Sequence, residues 1–194
     1  MPRRIFATAA LTAALLTPAA AHAQNPLKFG VAVGPSFPTG DLKDQSDWGY
    51  NVAGSLSVRP IMLPVGLRIE GMYQSLTGKN GISDGDGGTF DAPDFRTWAG
   101  TANAEVTLPG MGISPYLIGG IGIYNSKFTG SNAAVFGDQS SNDFGFNLGG
   151  GLAFNLAGFS TFVEARFHQI NIKDNTSNAT GHARFVPVTF GIKF

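Results

Sequence analysis

Residues 185–194 read Phe185-Val186-Pro187-Val188-Thr189-Phe190-Gly191-Ile192-Lys193-Phe194. Side chains of an extended chain point alternately to opposite faces. Val186, Val188, Phe190, Ile192 and Phe194 therefore share one face, and Pro187, Thr189, Gly191 and Lys193 share the other. One face is apolar to the last residue while its reverse is polar or small. This predicts a strand with two different environments, one on each side.

The same alternation recurs upstream. Residues 27–35 place Phe29, Val31 and Val33 against Gly30, Ala32 and Gly34. Residues 50–59 place Tyr50, Val52, Leu56 and Val58 against Asn51, Ala53, Ser55, Ser57 and Arg59. In 65–74, Val65, Leu67, Ile69 and Tyr73 oppose Arg68, Glu70 and Gln74, and in 97–108 a weaker apolar face opposes Thr101, Asn103, Glu105 and Thr107. Residues 115–125 set Leu117, Ile121 and Ile123 against Tyr116, Gly120, Gly122 and Tyr124. In 144–155, Phe146, Leu148, Leu152 and Phe154 oppose Asn147, Gly149, Gly151 and Asn155. In 161–169, Val163, Ala165 and Phe167 oppose Glu164, Arg166 and His168. With the terminal strand these make eight.

Short connections at 60–64, 109–114 and 156–160 alternate with longer polar ones at 36–49, 75–96, 126–143 and 171–184. Alternating short turns and long loops are those of an antiparallel up-and-down barrel. A soluble barrel would turn its apolar face inward, whereas here the second face carries Arg, Glu, Asn, Thr and Gly. The expectation is an all-β, eight-stranded transmembrane barrel with a polar lumen, apolar outside. Eight strands leave an interior that side chains can fill, and Gly120, Gly122, Gly149 and Gly151 would make room for larger neighbours.

Composition agrees with this. Mean hydropathy is only +0.06, and membrane strands need just about ten alternating residues, so hydropathy averages out. Charged residues amount to 13%, with 27 Gly and 16 Phe. At the N-terminus, Arg3 and Arg4 precede an apolar run ending at Leu16, then Thr17-Pro18 and Ala21-His22-Ala23. That order predicts a secretory signal over 1–23, cleaved after Ala23, with the barrel domain at 24–194. Removing the two arginines from 13 basic residues leaves 11 against 13 acidic ones, a net charge of −2. Such a balance argues against nucleic acid, which needs a basic patch. The chain has no cysteine, so it has no disulfide framework and no lipidated thiol.

Candidate chemistry sits on the inward faces. All three glutamates, Glu70, Glu105 and Glu164, are inward, while all ten aspartates lie in the longer connections or at their borders. Asp suits turns because its short side chain bonds nearby backbone. Arg68 and Arg166 share the glutamates' faces. Unpaired lumen charges are costly, so Arg68, Glu70, Glu105, Glu164 and Arg166, with His168 beside them, are expected to form a paired network that fills the lumen. A gate or narrow ion path is the sharper reading of the same residues. His168 with Glu164 and Ser160 could suggest acyl chemistry, but a nucleophile and base would have to meet at the rim, so no catalytic residue is assigned. Ser83 to Gly88 offers Asp84 and Asp86 as candidate cation ligands, with Asp91 and Asp94 nearby, but lacks the closing Glu of a calcium loop. No cofactor is expected.

Phe37-Pro38-Thr39-Gly40-Asp41, Pro115-Tyr116-Leu117-Ile118-Gly119-Gly120, Phe162-Val163-Glu164-Ala165-Arg166-Phe167 and the terminal Phe194 carry a resemblance. The chain resembles the small outer-membrane β-barrels that include the OmpA transmembrane domain, OmpX and OmpW, and the single-domain porin-family barrels. The resemblance spans nearly all of 24–194. It implies a Gram-negative outer membrane, with both termini in the periplasm and outer-membrane lipid and lipopolysaccharide as surroundings. It also implies periplasmic chaperones and the barrel assembly machinery as partners, with Phe190, Ile192 and Phe194 as the assembly signal. An extracellular ligand at the long loops is a further candidate. That group includes structural, adhesive and small-solute proteins, and the fold does not choose among them. A structural or surface-interaction role leads. A narrow channel for small or hydrophobic solutes is the alternative, and a lipid A-modifying enzyme comes third.

Overall fold

The computed structural model describes residues 27–59, 65–83, 88–110, 112–129, 141–173 and 180–194. Ten strands follow in chain order: β1 (Leu27–Thr39), β2 (Ser46–Val58), β3 (Val65–Gly78), β4 (Ile82–Ser83), β5 (Thr89–Phe90), β6 (Asp94–Thr107), β7 (Ile113–Thr129), β8 (Ser141–Asn155), β9 (Ser160–Lys173) and β10 (Thr180–Lys193). Eight of them close into a barrel in the order β1-β10-β9-β8-β7-β6-β3-β2, while β4 and β5 form a small separate hairpin. Every barrel pairing is antiparallel. Closure removes free sheet edges, which a hydrocarbon environment could not satisfy. At the seam, Gly30 to Val33 and Ser36 to Thr39 pair with β10, and Phe194 exchanges backbone hydrogen bonds with Phe29 at 2.8 and 3.2 Å.

The alternation read from sequence is the alternation of the wall. Phe29, Val31, Val33, Leu67, Ile69, Trp98, Leu117, Ile121, Leu148 and Phe190 are exposed on the outside. Their neighbours Asn51, Arg68, Glu70, Thr101, Asn103, Tyr116, Glu164 and Arg166 are buried inside. Lipid contact gives those outer apolar residues the environment that a core gives them in a soluble protein. On the outer wall Tyr50, Tyr73 and Trp98 form a ladder, with ring centroids 6.2 and 4.7 Å apart. Ten residues from Trp98 to Leu108, at about 3.3 Å each and about 40° of tilt, span about 25 Å. That is the height of an outer-membrane apolar band flanked by aromatic girdles.

Two expectations change. The strands run past the apolar band, so the loop segments expected at 36–49 and 171–184 shrink to residues 40–45 and 174–179. These are no longer than the turn at 59–64. Backbone pairing continues beyond the lipid because ladder hydrogen bonds do not require apolar side chains. The first of these connections contains one helical turn, Leu42–Gln45, which drops Leu42 into the barrel mouth.

The lumen is also not polar throughout. Toward the loop end, Leu42, Met72, Leu76, Phe95, Tyr124, Ile170 and Phe185 form an apolar plug. Met72, Leu76 and Ile170 share the inward faces of Arg68, Glu70 and Arg166, so parity gave their side but not their character. The interior at this end gains by burying hydrocarbon.

Candidate functional site

The charges gather in the turn-end half of the lumen. β3 and β9 lie diametrically opposite in the strand order and run in the same direction. On β3 the order along the chain is Arg68 then Glu70; on β9 it is Glu164 then Arg166. The reversed order lets each arginine face a glutamate across the barrel. Arg68 Nη1 donates to Glu164 Oε2 at 2.7 Å, and Arg166 Nη2 donates to Glu70 Oε1. Contacts within each strand close the square: Arg166 Nε to Glu164 Oε1 at 2.7 Å, and Arg68 Nη1 to Glu70 Oε2 at 3.7 Å.

Arg68 also donates through Nη2 to Glu105 on β6. Glu105 receives Lys193 Nζ at 3.1 Å and Arg59 Nη2 at 3.0 Å. Tyr116 donates its hydroxyl to Glu164 Oε2 at 2.7 Å. The rings of Tyr116 and Phe162 face both cations, with Arg68 at 5.7 and 5.6 Å and Lys193 at 5.3 and 5.1 Å from the centroids. Three buried cations, Arg68, Arg166 and Lys193, thus meet three buried carboxylates. Arg59, half-exposed at the turn end, adds a fourth positive charge.

Glycines make this crowding fit. A Cβ on Gly151 would stand 2.6 Å from the Tyr116 hydroxyl, and one on Gly149 would stand 2.6 Å from Arg166 Cγ. Gly191 gives the same room to the Phe162 ring. Overlaps of this kind cannot relax cheaply when backbone lies behind them.

Arg68, Glu70, Glu105, Glu164 and Arg166 are thus in one cluster, and His168 is next to it rather than in it. His168 Nδ1 and the Tyr124 hydroxyl are 2.9 Å apart, and the imidazole stacks on Phe185 at 5.0 Å with 9° between planes. It forms the floor of the apolar plug. Ser160 lies eight residues earlier on the same strand, about 26 Å away at the extended rise, so the two cannot share a proton.

Lys193, Arg59 and Tyr116 belong to the cluster although sequence reasoning did not assign them to it. Their inward parity was visible, but their reach to Glu105 and Glu164 depends on closure. Phe190 and Phe194 are exposed on the outer wall and Ile192 is half-buried there. Asp91 Oδ1 accepts from the Gly81 amide and Asp94 Oδ1 from the Gly78 amide, each at 3.0 Å, so both fasten the connection between β3 and β6. Asp84, Asp86, Ala21 and Ala23 lie outside the described residues.

A closed eight-stranded barrel with an apolar exterior and a charge-paired lumen defines a small integral membrane barrel. A family model of the outer membrane protein beta-barrel domain matches residues 7–194, and the chain belongs to that family. Its fold is similar to that of the solved Neisserial surface protein A, with a TM-score of 0.62 and 12% identity over 87% of this chain and 96% of the other. It is also similar to a major outer membrane protein of Thermus thermophilus, with a TM-score of 0.52 and 14% identity over 88% and 99% of the two chains. No curated protein sequence matches the chain.

Proposed function

We propose that this protein is a structural, surface-presenting component of the outer membrane whose barrel is closed to solute. The observation that carries this reading is the burial of the side chains that fill the lumen. Arg68 and Phe95 are 1% exposed, and His168, Ile170 and Phe185 are 0% exposed. A water-filled path would leave its lining accessible, as in wide barrels. Here a paired ionic layer and an apolar plug lie in series.

In this reading residues 1–23 are the export signal and both termini and the short turns face the periplasm. The connections 40–45, 79–93, 130–140 and 174–179 face outward, where they would meet an extracellular partner. No catalytic step is included, since His168 is sealed between Tyr124 and Phe185. Reconstitution into planar bilayers tests the closed lumen. No stepped current is expected at moderate voltage; steady, reproducible conductance steps from the purified protein would instead establish the channel alternative.

A further inference from the structure

Residues 79–82 read Lys79-Asn80-Gly81-Ile82, and Asn80-Gly81 is the one Asn-Gly pair in the sequence. The pair forms the exposed corner between the end of β3 and the β4–β5 hairpin. Lys79 is fastened on both sides of the main chain. Its amide donates to the Gln45 carbonyl at 3.0 Å, and its carbonyl accepts from the Ala92 amide at 2.8 Å. Gly81 has a φ of +70°, a left-handed conformation that glycine adopts freely. A Cβ placed on it would meet nothing within 4 Å. The Gly81 amide donates to Asp91 Oδ1 at 3.0 Å, and Asp91 is itself exposed. A carboxylate therefore holds the N–H that follows an asparagine.

We propose that Asn80–Gly81 is a self-modification site, where the Asn80 amide is converted to an aspartyl or isoaspartyl linkage with Asp91 as the general base. A general base has to stand within hydrogen-bond reach of the proton it takes, and Asp91 does. The Gly81 nitrogen attacks Asn80 Cγ while its proton passes to Asp91. The new N–Cγ bond closes a five-membered succinimide as the Cγ–Nδ2 bond breaks. Asp91 returns the proton to the departing nitrogen, which leaves as ammonia. Water then opens the ring, at Cγ to give aspartate or at the main-chain carbonyl to give isoaspartate.

Three features carry the assignment. Residue 81 has no side chain to obstruct the approach. The bond to Asp91 engages the proton in the peptide plane and leaves the face of the nitrogen open to Cγ. The corner is exposed, so ammonia can leave and water can enter. Asn51, Asn103 and Asn147 lack this combination, being buried in strands and each followed by a residue with a side chain. Either product places a new negative charge in the corner that Asp91 fastens, and the isoaspartyl form adds a methylene to the main chain next to Lys79. Both changes act on the ties between the 79–93 connection and the 42–45 turn, including Lys79 Nζ on the Lys43 carbonyl at 2.7 Å. The inference is independent of the closed lumen.

The test ages the full mature barrel in detergent micelles at neutral pH and physiological temperature, beside the same chain kept unfolded in guanidinium chloride. Peptide mapping by mass spectrometry follows the loss of the Asn80 amide, and isoaspartyl-specific enzymatic methylation measures the isoaspartyl product. The unfolded chain reports the rate of the bare Asn-Gly pair. The folded barrel should convert faster than the unfolded chain. Asp91→Asn should slow the folded barrel roughly 100-fold, the lower end for a positioned acid–base group, and should leave the unfolded chain unchanged. Heat-modifiable gel mobility confirms that each barrel is folded, and Asp91→Ser serves if Asp91→Asn is not. A folded barrel that converts more slowly than the unfolded chain would overturn the proposal, because the Gly81–Asp91 bond would then protect the pair. So would an Asp91 variant that converts as fast as its parent. Neither result bears on conductance, so the failure of one reading leaves the other intact.

Discussion

Arg68 on β3 and Glu164 on β9 meet at 2.7 Å across the full diameter of the barrel. Each is 1% exposed, so bulk solvent does not compete for either partner. Breaking such a pair by removing one member leaves an uncompensated buried charge, which costs about 3–5 kcal/mol. Arg68→Met should therefore lower unfolding free energy by that amount in urea titrations of the folded barrel in lipid. Adding Glu164→Gln to Arg68→Met should recover part of the loss. A double variant as unstable as the sum of the two single ones would show that the two side chains act independently.

Tyr116 reaches Glu164 because residue 151 has no side chain. Gly151→Ala would press a methyl group on the Tyr116 hydroxyl and on the backbone carbonyl of Val163. The expected cost is roughly 1–3 kcal/mol, the range for overpacking a tight interior. Gly71→Ala, whose Cβ would meet open space on the lipid side, should leave stability within about 0.5 kcal/mol. Equal effects at the two glycines would contradict the packing account.

Phe185 and Phe190 lie five residues apart on the same strand and differ in environment. Phe185 is fully buried in the plug and stacked on His168, while Phe190 is more than half exposed on the wall. Phe185→Ala should cost about 3–5 kcal/mol as a buried aromatic truncation. Phe190→Ala exchanges a ring for lipid contact and should cost clearly less. Unfolding midpoints of the two variants, measured side by side, decide the matter.

The proposed orientation has its own check. The chain lacks cysteine, so single cysteines can be placed freely. A membrane-impermeant maleimide applied to intact cells should label Lys79→Cys at the loop end. It should not label Ala157→Cys in the exposed turn between β8 and β9 until the outer membrane is permeabilised. The opposite pattern would invert the barrel.

Much of the wall was legible because a strand has a period of two. The faces of Leu67-Arg68-Ile69-Glu70 and Val163-Glu164-Ala165-Arg166 follow from counting, whatever the partners. The ends of strands were not legible in the same way. The apolar signal stops at the edge of the lipid band, whereas β7 and β8 go on pairing through Ser126 and Ser141. Lys193 and Arg59 show the limit most clearly. Parity turned both inward, but joining them to Glu105 requires knowing that β10, β2 and β6 converge on one depth of the lumen.

The sequence by itself determined which side of the wall each strand residue occupies, and with it the β-barrel class. Alternation is a local property that survives without knowledge of any neighbour. Tertiary structure alone decided that Arg68 faces Glu164, that Tyr116 fills the space left by Gly151, and that Ile170 and Phe185 join one apolar cluster toward the loop end. Those relations join strands on opposite sides of the barrel, and only closure with a particular stagger fixes which side chains share a level.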